Sequence, residues 1–235
     1  MRAVPARSTL LIAALAVVAL VGMAATPPDA DARAQLKPKV GWGPLKSGAA
    51  KRKVSKTKWE PRPRNYAANH RVPTREELRL FRANSDMPYA ARVNGRYRGT
   101  TDDIIEWAAI KWGLPEDLLR AVAVHETWWD GHFVGDDGDS FGIFQVRRPY
   151  HCCLPFMRDS TAFNADYYGA ILRAYYDGKQ GWLNTVERNG DYGPGDLWGS
   201  VGVWASGRWH LGSSDSYVAQ VQQRMRERPW FGRWF

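Results

Sequence analysis

From residue 73 onward, apolar side chains return at helical spacing, and each run is bounded by residues that start or stop helices. Pro73-Thr74-Arg75-Glu76-Glu77 offers a capping hydroxyl with a glutamate three positions on, and Leu78 and Phe81 follow on one face. Thr100 to Asp103 repeats the device. Behind it Ile105, Ala108, Ala109 and Trp112 predict an amphipathic helix over Thr101–Trp112 that Gly113 ends. Pro115 suits a first helical position, Glu116 and Asp117 suit the positive helix pole, and Leu118, Leu119 and Val122 form the next buried stripe.

Further on, Ser160 or Thr161 caps a helix carrying Phe163, Tyr167, Ala170, Ile171 and Ala174 as far as Gly178. Gly195 to Ser206 reads as helix despite its glycines, and Tyr217, Val221 and Met225 mark a last helix that Pro229 stops. Strand signals are scarce. Phe133 to Asp139, with clustered Gly and Asp, predicts a loop or at most a small hairpin. The expected class is mainly α, without internal repeats.

The first 72 residues follow other rules. Arg2 and Arg7 precede an uncharged apolar run, Leu10 to Ala25, and Ala30-Asp31-Ala32 is a small-x-small site. Together these predict a secretory signal peptide over residues 1–32, because the run is shorter than the ~20 residues of a membrane-spanning helix. The protein is therefore expected outside the cytoplasm, secreted or in the cell envelope. The formal net charge of +9 is concentrated in the next stretch. Arg33, Lys37, Lys39, Lys46, Lys51, Arg52, Lys53, Lys56, Lys58, Arg62 and Arg64 face one acid, Glu60. Rich in Pro and Gly as well, residues 33–72 read as a disordered basic arm, either a solvated linker or an attractor for an anionic wall polymer or membrane surface. Export argues against nucleic acid as the partner. One domain is expected over residues 73–235, acting as a monomer.

The cysteines, Cys152 and Cys153, are adjacent. An oxidising compartment admits a vicinal disulfide, strained because neighbouring Cα atoms sit about 3.8 Å apart. Two free thiols are the alternative.

Chemistry concentrates in Ala121 to Phe133, AVAVHETWWDGHF. A zinc peptidase helix needs a second histidine four residues after His125, but position 129 is tryptophan, so no metal is expected. Glu126 shares a helical face with Leu119 and Val122 near the helix end. The apolar flank and the negative helix pole both favour its protonated form, which suits a general acid. The alternative is a rim glutamate paired with arginine.

Glu126-Thr127, then Gly135-Asp136-Asp137-Gly138, then Phe141-Gly142-Ile143-Phe144-Gln145-Val146, and more weakly Val203-Trp204-Ala205-Ser206-Gly207, give a pattern that resembles the lysozyme-like superfamily. Within it the closest likeness is to soluble lytic transglycosylases and goose-type lysozymes, over roughly residues 100–210. The resemblance implies a lysozyme-like helical domain without a cofactor, cleaving the MurNAc-GlcNAc bond of peptidoglycan. It assigns Glu126 the acid and base roles and makes Asp136 a second catalytic candidate. Thr127, Gly142, Phe144, Gln145 and Gly207 become substrate-binding candidates, with Gly142 letting the backbone approach a sugar and Gln145 offering its amide.

Departures from the family bear on mechanism. Arg147 stands where goose-type enzymes carry a further acid, which disfavours direct hydrolysis and favours attack by the substrate's own C6 hydroxyl. Trp204 replaces a tyrosine that commonly bonds the catalytic glutamate, and Ala205 replaces asparagine. Of the twelve tryptophans, Trp128, Trp129 and Trp204 lie beside motif residues and are candidate sugar platforms. The competing expectations are a hydrolase of the same fold and a wall-binding protein without catalysis.

Overall fold

The computed structural model describes residues 36–151, 154–185 and 190–235. The signal-peptide expectation and the Cys152–Cys153 pair lie outside the described residues. Among the described residues five α-helices precede the sheet: α1 (Ser47–Lys51), α2 (Tyr66–His70), α3 (Arg75–Asn84), α4 (Thr101–Trp112) and α5 (Glu116–Thr127). Three two-residue strands follow: β1 (Val134–Gly135), β2 (Ser140–Phe141) and β3 (Val146–Arg147). Four helices close the chain: α6 (Phe156–Asp159), α7 (Thr161–Tyr176), α8 (Leu197–Ser206) and α9 (Ser213–Glu227). The protein is mainly α. No helix among the described residues is long and apolar enough to cross a membrane.

Local signals set most helix ends. Thr74 and Glu77 form the reciprocal capping box of α3, Thr100 caps α4, and Ser160 caps α7. Gly113 takes the left-handed conformation after α4, at φ 62°, which costs glycine no side-chain clash. Helix α8 starts later than the sequence suggests. Asp196 accepts a hydrogen bond from the Gly199 amide and so becomes the cap, leaving Gly195 outside.

Helices α4 and α7 form the centre, with α5 against α4, α8 against α7, and α9 across both α5 and α8. Ile104, Ile105, Trp107, Ala108, Ile110 and Trp112 are all fully buried, so α4 is covered on every side rather than on one stripe. What covers its polar side is the segment expected to be disordered.

Residues 36–72 are ordered and strapped over the helical core, which corrects the expectation of a loose arm. The Lys39 ammonium pairs with Glu106 at 2.6 Å, the Ser55 amide donates to Glu106, and the Thr57 amide donates to Asp103. Farther along, the Trp107 indole donates to the Ser47 carbonyl and the Leu45 amide to the Lys111 carbonyl. Low hydropathy did not mean disorder here because the strap satisfies buried polar groups of α4 instead of burying a large apolar face of its own.

Glu60 is the clasp. Its carboxylate accepts from the Thr101 amide at 2.7 Å, from the Thr101 hydroxyl, from Asn69 and from the Arg62 amide. It thereby supplies an anion to the N-terminus of α4. Glu60→Ala is expected to destabilise the fold by about 2 kcal/mol, since the buried Thr101 amide and hydroxyl lose their acceptor and Asn69 loses one of its two. Urea denaturation at neutral pH measures it.

The three strands pair antiparallel in the order β1-β2-β3, with Val134 opposite Phe141 and Ser140 opposite Arg147. This small sheet sits immediately after α5 and frames the end of that helix.

Candidate active site

Glu126 occupies the last turn of α5, which Trp128 closes in a left-handed conformation at φ 54°. Two other helices send donors to its carboxyl. The Tyr217 hydroxyl of α9 donates to Oε1, and the Trp204 side chain of α8 is also hydrogen-bonded to the carboxyl. The side chain keeps a partial opening to solvent, yet protein atoms surround the carboxyl on its other sides, and that packing governs its acidity.

Burial pushes the Glu126 carboxyl up to about 7. The bonds from Tyr217 and Trp204 work against the rise, and the charge of Asp136 adds to it. Among the described residues no arginine or lysine forms an ion pair with Glu126, so the rim-glutamate alternative does not describe its surroundings. The result is a carboxyl substantially protonated at neutral pH that faces donors able to hold its anion.

Asp136 lies at the turn between β1 and β2 in a left-handed conformation, φ 48°. It accepts from the Ser140 hydroxyl at 2.5 Å and lies 3.6 Å from the Arg147 guanidinium. Arg147 on β3 thus faces the loop acid.

Several motif residues hold the frame around the end of α5. Gly142 has φ +72°, and a Cβ there would fall 2.6 Å from the Asn164 amide nitrogen. The close approach it permits is to Asn164. Asn164, buried on α7, donates to the Phe141 and Met157 carbonyls and accepts from the Phe144 amide. Phe144 is buried and stacked on Tyr168, so it is a core residue. The Gln145 amide donates to the Phe133 and Gly142 carbonyls, holding the hairpin to its own turn. Thr127 is buried and its hydroxyl donates to the Ile143 carbonyl, tying α5 to the loop before β3. Gly207 is the left-handed cap of α8.

The three candidate tryptophans separate. Trp204 is at the site. Its ring stacks on His151 at 5.2 Å and meets Tyr168 edge-on at 4.9 Å. Trp129 is fully buried, with its indole donating to the Arg120 carbonyl. Trp128 points outward, under the Arg224 guanidinium and beside Phe235. Neither belongs to the Glu126 cluster.

Sequence reasoning missed three members of this cluster, Tyr217, Tyr168 and His151, and the framing residue Asn164. Tyr217 sits 91 residues after Glu126 and fits the apolar stripe of α9, so its spacing carries no sign of a polar role. His125 turns its ring edge-on to Tyr217 instead of standing free in solvent. Burial draws His151 down to about 4, with Asp86 opposing, so it lies neutral beneath Trp204. The Tyr168 hydroxyl is buried without a hydrogen-bond partner among the described residues.

Two cavities flank these elements. One of about 430 Å³ is lined by Asp86, Arg148, Tyr150, His151 and Tyr167, and His151 connects it to the Trp204 stack. The other, about 390 Å³, lies between the strap and the helices that carry Glu106 and Arg120. Glu126 lines neither. Among the described residues no group of three or more His, Cys, Asp or Glu lies close enough to hold a metal ion.

Comparison with protein-family models, with curated proteins and with solved structures gave no match.

Proposed function

We propose that the protein is an exported glycan-cleaving enzyme on a lysozyme-like scaffold, and that it breaks the MurNAc-GlcNAc bond of peptidoglycan without using water. The observation that carries this reading is the Glu126 carboxyl, raised by burial to about 7, held by Tyr217 and Trp204, and paired with no arginine or lysine among the described residues. The motif likeness around residues 126–146 supplies the substrate class.

In the proposed reaction the Glu126 proton passes to the bridging oxygen as the bond from that oxygen to C1 of MurNAc breaks. The MurNAc C6 hydroxyl attacks C1 from the same sugar, and its proton returns to Glu126. The product carries a 1,6-anhydro ring and the acid is regenerated. One carboxyl suffices for both transfers. Asp136, bound to Ser140 and facing Arg147, supports Glu126 through its charge and is poorly disposed to serve as a free base.

Mass spectrometry of digested glycan tests this. Anhydro ends are expected, whereas products one water heavier make it a hydrolase. Sedimentation with the wall without any product makes it a binding protein.

Tyr217→Phe probes the proton at the same site. Loss of the hydroxyl removes a bond that favours the anion, so the Glu126 carboxyl rises further above its ordinary value. The alkaline limb of the kcat/KM profile is expected to move up by roughly one pH unit. An unmoved limb means that Glu126 is not the titrating acid.

A further inference from the structure

A second surface of the molecule combines exposed rings with cations and takes no part in the Glu126 cluster. Residues 229–235 divide by face. Trp230 is buried, and the Phe235 ring packs edge-on against Trp129 at 4.8 Å and beside Trp59 and Trp128. Phe231 and Trp234 turn outward, 72% and 89% exposed, and Trp59 and Trp128 around them are 42% and 47% exposed. Four exposed rings thus lie on or beside the last turn of the chain, with Phe235 as the ring that Trp59 and Trp128 share.

Guanidinium groups are built into it. Arg62 lies 4.5 Å from the Phe235 ring centre, Arg224 5.5 Å from that of Trp128, and Arg233 5.2 Å from that of Trp234. Arg224 is answered by Glu227 and Arg64 by Asp130. Arg62 and Arg233 form no ion pair among the described residues, and Glu60 is turned inward onto Thr101. The strap adds exposed Lys51, Arg52, Lys53, Lys56 and Lys58 just before Trp59. The face therefore joins exposed rings to guanidinium groups, two of them, Arg62 and Arg233, without an ion-pair partner among the described residues.

We propose that this face docks on the surface of an anionic lipid bilayer, with Trp234 and Phe231 entering the headgroup region and the arginines meeting lipid phosphates. The interface between headgroups and acyl chains accepts indole rings and long cationic side chains together. A soluble phosphate polymer would complement the cations but would leave two nearly bare rings unexplained. Helix α9 carries Tyr217 at the Glu126 carboxyl and Arg224 at this face, about 10 Å apart along its axis by the helical rise. Docking would hold the Glu126 opening close to the membrane. The inference is independent of what Glu126 does.

Co-sedimentation of the purified chain with vesicles tests it, comparing phosphatidylcholine alone with a mixture containing phosphatidylglycerol. Binding is expected to the anionic vesicles and to weaken with salt. The double variant Phe231→Ala/Trp234→Ala should lower partitioning by at least about tenfold, and Arg233→Gln should reduce it mainly at low salt. Both alter exposed side chains, and unchanged circular dichroism confirms their fold. Three results overturn the proposal: no binding to anionic vesicles, binding indifferent to the double variant, or a concentration-dependent dimer that the double variant abolishes. The last would assign the face to a second copy of the chain.

Discussion

Replacement of Glu126 by glutamine is expected to lower glycan cleavage by about a thousandfold, the usual scale of a lost general acid, while making the fold more stable above neutral pH. Both effects come from the same desolvation. Glutamine keeps the shape and can still pair with Tyr217 and Trp204, but it has no proton to give. The stability effect follows from linkage. The folded carboxyl titrates near 7 and an ordinary glutamate near 4.5, so between these values the folded state holds the extra proton. Stability from this group is complete below about pH 4.5 and is lost as pH rises through about 7, a difference of about 3 kcal/mol. The glutamine variant should therefore match the parent in urea at pH 4 and exceed it at pH 8. Cleavage by the variant at the parental rate would remove Glu126 from the chemistry. Equal stability at both pH values would mean that the carboxyl is not desolvated.

Removal of Asp166 should give the largest loss of stability. Asp166 is fully buried on α7 and bonds four donors: the Lys111 ammonium, the Asn94 and Gly95 amides and the Trp112 indole. Burial drives Lys111 below its ordinary value and Asp166 opposes that shift. Asp166→Ala strands the ammonium and three further donors, and a loss of about 4 kcal/mol is expected from breaking such a pair on one side. Adding Lys111→Met should recover a good part of it, because the double variant buries no unpaired charge. Denaturant midpoints of the parent, both singles and the double complete the cycle. An additive double variant would show that the two charges do not depend on one another.

What the sequence made legible was local. Thr74 with Glu77, Thr100, Gly113 and Ser160 announced helix ends within a few residues of their partners, and the structure keeps them. Glu126 was legible for the same reason, since its apolar flank and the helix end lie within seven positions. The strap was not. It is held by amides and single side chains that reach residues some fifty positions away, and such bonds leave no periodicity. Composition therefore suggested disorder where Glu60, Lys39 and Thr57 make fixed contacts. The packing partners of the motif residues were not legible either. A glycine spaced for a cleft looks the same whether it makes room for a sugar or for Asn164.

The strap also bears on how the chain comes together. Residues 39–60 leave the ribosome well before α4, so they have no docking site until Asp103 and Glu106 have emerged and turned into a helix. A fragment started at residue 73, the boundary that composition suggests, would carry those two carboxylates and Thr101 without the groups that satisfy them. The belt has nothing to fasten to until α4 has formed.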